Sequence, residues 1–147
     1  MKKMNNKGFS LVELIVVIAI MAVLIGVLAP QFLRYVEKSR LQKDNQAVNE
    51  IAQAAKAAMA NETIYNEVGT STTITPSGKT YTFTTSTTPT FQGELANTVG
   101  TTVTLSSKKY STSPTITVSV DTGTNTVKVT GTPYYEDVAS PVSTKTF

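Results

Sequence analysis

A single carboxylate, Glu13, stands at the head of a long apolar run, in Gly8-Phe9-Ser10-Leu11-Val12-Glu13 followed by Leu14 to Ala29. A charge in hydrocarbon costs about 2.5–3.5 kcal/mol at a helix centre on insertion scales, so a residue placed there points to function and to a partner. The other candidate chemistry is sparse. Asp121-Thr122-Gly123-Thr124-Asn125 has a calcium-loop flavour but lacks the further carboxylates such a loop needs, and its alternating flanks favour a hairpin turn. Lys108-Lys109-Tyr110 is a small basic and aromatic patch, read as a solvated strand end. Glu136 and Asp137 are adjacent acids that would point to opposite faces of a strand.

Composition removes most catalytic classes. The chain has no cysteine and no histidine, so disulfides, thiolate metal sites and the commonest general base are all excluded. No convergent acid pair and no P-loop is present; the expectation is a protein that is not an enzyme, with no cofactor and no metal. The formal charge of +3 resides in the first residues. Lys2, Lys3 and Lys7 precede Gly8, and beyond it ten Lys+Arg balance ten Asp+Glu. Nucleic acid is therefore not indicated as a partner.

Three stretches must position Glu13. Residues 1–8 form a short polar leader with three lysines. Residues 9–30 would form a helix of about 31 Å over Phe9 to Ala29, at roughly 1.5 Å per residue, enough to cross a hydrocarbon core of about 30 Å. The leader's lysines place it on the cytoplasmic side and the remainder outside. An ordinary secretory signal would be cut on the far side of the run, where Pro30 follows Val27-Leu28-Ala29 and hinders cleavage. A plain anchor gives no reason for Glu13. Gly26 and Pro30 predict a kink or a locally melted turn, because proline removes an N–H and clashes with the preceding turn.

From 31 to 68 the pattern is that of an amphipathic helix. Leu41, Val48, Ile51, Ala55 and Met59 draw one apolar stripe. Lys43, Asn45, Gln46, Asn49, Gln53 and Lys56 are assigned to the opposite face. The helix should end or fray between Asn61 and Gly69. Residues 69–147 are close to half serine and threonine. Thr115 to Val120 and Thr126 to Thr130 alternate at period two and flank the glycine-containing loop, predicting a hairpin. Tyr81 with Phe83, and Val103 with Leu105, mark two more strands. Thr84 to Thr90 reads as an exposed loop, and Phe91 to Val99 as a short helical turn. The predicted fold is α+β: a long N-terminal helix packed on a small antiparallel sheet.

The leader, the Gly8-Phe9 junction, Glu13 and the apolar run together resemble the type IV pilin family, over roughly the first fifth of the chain. The resemblance implies a prepilin peptidase that cuts after Gly8 and methylates the new amine of Phe9. That amine would share a helix face with Glu13, one turn away. In the family the acid pairs with the amine of a neighbouring subunit during assembly; a pair within one chain is the alternative. The resemblance further implies melting near Pro30 in the filament, although Ala22 stands where relatives often have glycine. It implies a membrane-held subunit that polymerises with its own copies into a helical surface filament, driven by a platform membrane protein and cytoplasmic ATPases. Adhesion, twitching motility, DNA uptake and secretion are all roles of such filaments. The nearest alternatives are a type II secretion pseudopilin, whose calcium-binding acids are missing from this sequence, and a minor pilin. A membrane-anchored binding protein or enzyme is the alternative from another class.

Overall fold

Alanine-rich sequence and an apolar stripe at helical spacing produce one continuous helix, α1, over Leu11–Ala58. The computed structural model describes residues 9–108, 116–131 and 144–147. The leader with Gly8, the Lys109-Tyr110 part of the basic patch, Tyr134, Tyr135, Glu136 and Asp137 lie outside them. The chain divides into two units, 1–36 and 37–147.

In the first unit α1 has no buried residue, and Gly26 and Pro30 both lie within it. The expected melted turn is not present: residues 26–30 are helical. Proline deletes one donor, and the turns on either side keep theirs.

In the second unit the predicted stripe is buried. Leu41, Val48, Ile51, Ala55 and Met59 all enter the core, while Lys43, Gln46, Gln53 and Lys56 are exposed. Asn45 is a correction: it is buried, because its position borders Leu41 and Val48 on the helix surface. The helical stretch expected to reach 68 comes in two pieces. The Ala60 and Asn61 amides donate to the Ala57 and Ala58 carbonyls at 3.0 and 3.1 Å, tightening and closing α1. Asn61 then caps a second helix, α2, Glu62–Val68, its side-chain oxygen accepting from the Thr63 amide at 3.0 Å. Gly69 at the C-cap has φ 66°, a conformation glycine adopts freely.

The strands are β1 Ser71–Ile74, β2 Thr80–Thr82, β3 Thr102–Thr104, β4 Thr117–Asp121, β5 Thr126–Thr130 and β6 Thr144–Thr146. A further helix, α3, spans Phe91–Val99, the stretch read as a helical turn. Four strands form an antiparallel sheet in the order β1-β4-β5-β6, while β2 and β3 pair separately. The predicted hairpin is β4–β5, with Val118 opposite Val129 and Val120 opposite Val127. These four valines have no exposed surface, and each contributes about 1.5–3 kcal/mol by burial. They face Val48, Ile51 and Ala55 in one core with Tyr81, Leu95, Leu105 and Ile116. Buried Tyr81 donates its hydroxyl to the Ile116 carbonyl at 3.1 Å. A long helix packed on a small antiparallel sheet, an α+β arrangement as expected, is the architecture.

Candidate assembly site

The start of α1 has backbone N–H groups that no helical carbonyl can reach. Glu13 answers one of them: the Ser10 amide donates to its Oε2 at 2.8 Å. The Leu14 amide donates to the Ser10 carbonyl at 3.3 Å. Ser10-Leu11-Val12-Glu13 thus carries the glutamate half of a capping box, the acid at the third helical position reaching back to the capping residue. Its negative charge lies in the first turn, at the positive end of the helix dipole. With residues 1–8 attached, Phe9 has an amide and not an amine, and Ser10 supplies the donor that Glu13 accepts from. The serine gives the acid a second, local role that its place in an apolar run did not reveal. The S-x-x-E spacing was the available signal.

The side chains that follow are bare. Phe9 is 89% exposed, and the large apolar residues from Leu11 to Leu28 are all between 45 and 73% exposed. The exposed apolar surface continues past Pro30 through Phe32, Leu33 and Tyr35, beyond the boundary expected at residue 30. A contiguous apolar surface of this size marks lipid or a protein partner. The helix is long and apolar enough to cross a membrane.

A pair of acids braces the other unit. Asp44 is 2% exposed and accepts from the Ser106 amide at 2.8 and 2.9 Å and from the Ser107 amide at 2.6 Å. Glu37 Oε1 accepts from the Ser107 hydroxyl and the Lys108 amide, both at 2.6 Å. Arg40 lies 3.8 Å from Glu37. Lys79 donates to the Ser107 carbonyl at 2.9 Å. Two carboxylates seven residues apart on α1 therefore grip the segment leaving β3. Neither Glu37 nor Asp44 stands out as a candidate in the sequence alone. The signal was there: Asp44 falls between Leu41 and Val48, on the apolar stripe, where a charge needs buried donors.

The Asp121–Asn125 loop is the turn between β4 and β5. Asp121 Oδ1 accepts from the Gly123 and Thr124 amides at 2.9 and 3.3 Å. The Thr124 side chain is the main cause that holds the Asp121 carboxyl below its ordinary value, followed by the Thr124 amide. The left-handed residue is Asn125, φ 50°, and not the glycine. Among the described residues no group of three or more His, Cys, Asp or Glu side chains could hold a metal ion.

Residues 3–29 match the family described as "Prokaryotic N-terminal methylation motif". No curated protein and no solved structure matches the chain. The stretch that holds Gly8, Phe9 and Glu13, with the apolar helix behind them, thus carries the signature of type IV pilins and prepilins.

Proposed function

We propose that the chain is the structural subunit of a type IV pilus. Prepilin peptidase cuts it between Gly8 and Phe9 and methylates the Phe9 amine. The apolar helix holds the subunit in the membrane, leader on the cytoplasmic side, until the assembly platform and its ATPases move it into a filament outside the cell. The observation that carries this reading is the unburied apolar helix with Glu13 in its first turn, inside the stretch that matches the methylation motif.

The mechanism is polymerisation. Between helices in lipid there is little hydrophobic gain, so close packing and polar pairing set register. Glu13 exchanges the Ser10 amide for a stronger, charge-assisted bond to a Phe9 amine. Pairing with a neighbour's amine would favour one register among many. The melting expected between Gly26 and Pro30 would belong to the filament, since residues 26–30 are helical in the single chain. A type II secretion pseudopilin or a minor pilin would share the same N-terminal chemistry.

One experiment tests both parts. The mature protein and its Glu13→Ala variant are sequenced from the N-terminus, and cell-surface filaments are counted by electron microscopy. Both chains should begin at methylated Phe9, with filaments lost or irregular only in the variant. A start at Met1, or beyond Ala29, overturns the pilin reading; normal filaments from the variant overturn the pairing.

A further inference from the structure

Arg34 and Tyr35 carry polar groups that folding leaves without a partner. The chain's other arginine, Arg40, lies 3.8 Å from Glu37. Tyr65 and Tyr81 donate their hydroxyls to the Thr122 and Ile116 carbonyls at 2.6 and 3.1 Å. Arg34 and Tyr35 are exposed and have no hydrogen bond or ion pair among the described residues. They stand where the apolar part of α1 ends, beside exposed Phe32 and Leu33.

Their place along the axis selects the partner. Glu13 and Arg34 are the only charged residues from Phe9 to Val36, and the helix between them is unbroken. The stretch from Leu14 to Leu33 carries no charge. At roughly 1.5 Å per residue, Glu13 and Arg34 lie about 32 Å apart along the axis, the thickness of a hydrocarbon core of about 30 Å. Setting the two charges at the two edges of the core leaves neither in hydrocarbon. A span over residues 9–30 would instead sink Glu13 about 6 Å into it and leave Phe32 and Leu33 in water.

The chemistry also changes along the axis and not around it. Successive helical residues turn by about 100°, so Phe32, Leu33, Arg34 and Tyr35 together encircle the helix. A protein partner covers one face of a helix; a bilayer meets it in layers. A ring of aromatic and cationic side chains after an apolar stretch of core length fits the headgroup layer, where tyrosine anchors and arginine snorkels. A guanidinium also presents a planar pair of donors that matches a phosphate.

We propose that Arg34 binds the phosphate of an outer-leaflet phospholipid before assembly, with Phe32 and Tyr35 in the same headgroup layer and Glu13 at the cytoplasmic edge. The inference rests on the membrane-held reading above and adds to it the depth of the span and the lipid group that fixes that depth. Glu13 is then not buried in lipid while it waits for an amine, and extraction of the subunit must break the Arg34–phosphate contact.

The test uses the full chain, isotope-labelled at the arginine guanidinium carbons and reconstituted at low density in vesicles of phosphatidylcholine and phosphatidylglycerol. Solid-state magnetic resonance reads the dipolar contact between those carbons and lipid phosphorus. The contact should be present in wild type and in Arg40→Gln, and lost in Arg34→Gln. The chain has no tryptophan, so single-tryptophan variants report depth without background. The Leu24→Trp variant should be quenched most by lipids brominated near the chain ends, and the Tyr35→Trp variant most by lipids brominated near the headgroup. Absence of the phosphorus contact, a contact that survives Arg34→Gln or vanishes in Arg40→Gln, or fully aqueous emission from Tyr35→Trp would overturn the proposal. Where Leu24→Trp is still quenched, that failure is confined to Arg34 and the depth. Where Leu24→Trp escapes every brominated lipid, the membrane-held reading falls with it.

Discussion

Three acids show how one side chain takes different work from its surroundings. Glu13, in the first turn of an exposed helix, accepts one amide and stays accessible to a stronger partner. Asp44, 2% exposed, is committed: its three accepted contacts fix Ser106 and Ser107. Asp44→Ala would leave the buried Ser107 amide without its acceptor, at about 1–3 kcal/mol, and would free the Ser106 amide to water. The melting temperature of the variant should fall by more than about 4 °C, given roughly 4–8 °C per kcal/mol in a domain of this size. An unchanged melting temperature would show that water replaces the carboxylate. Asp121 differs again, being fully exposed and held below its ordinary 3.8 first by the Thr124 side chain. A carboxyl lowered in the folded state contributes stability that is fully present above 3.8 and is lost as pH falls through the folded value. Melting curves taken from neutral pH down through that window should show wild type losing more stability than Asp121→Asn; parallel losses would remove Asp121 as a contributor. The first acid was legible in the sequence because it interrupts an apolar run. Asp44 was harder to see, since a stripe is read by its apolar members and its polar member passes for solvated.

Elements were legible where a period is visible and hidden where pairing decides. β4 and β5 alternate valine with polar residues, so their hairpin follows from the pattern. β1 has one apolar residue, Ile74, and becomes a strand only because Val118 and Val120 of β4 offer it a ladder. β6 is three residues long and carries no period. The split into two sheets has no local signature either. Caps gave sharper information than periodicity at helix ends. Thr90 begins α3 by accepting from the Gly93 amide at 3.1 Å, and Glu67 of α2 accepts from the Phe91 amide at 2.8 Å. Gly93 is therefore a helix glycine with a reason. A Cβ there would stand 2.9 Å from Thr90 Oγ1 and 3.1 Å from Ser86 Cβ. Replacing glycine by alanine inside a helix normally gains about 0.8–1 kcal/mol. Here the added methyl pushes out the capping hydroxyl, which itself contributes about 1 kcal/mol, and also presses on Ser86. Gly93→Ala should thus lower the melting temperature; a rise would mean that the 84–90 loop yields to the methyl without cost.

The two units differ in kind, and the difference assigns their roles. Among the described residues every buried apolar one, from Leu41 to Val129, belongs to the second unit, whose helix, sheet and hairpin share one core. Among the described residues of the first unit none is buried, so its helix has no tertiary packing there to hold it; an isolated helix in water is marginal, and this one exposes isoleucine, leucine and valine along its length. It needs lipid or other helices around it. A fragment starting at Arg34 should therefore keep the fold of the second unit and lose the demand for a partner. In buffer without detergent it should sediment as a monomer, with a circular dichroism spectrum combining helix and sheet and a single cooperative melt. The full chain should stay monodisperse only in detergent or lipid. A helix-free spectrum from the fragment would show that residues 9–33 are required to form the rest of α1. Aggregation of the fragment would place a second sticky surface on the folded unit, and the apolar helix would no longer be the sole source of assembly.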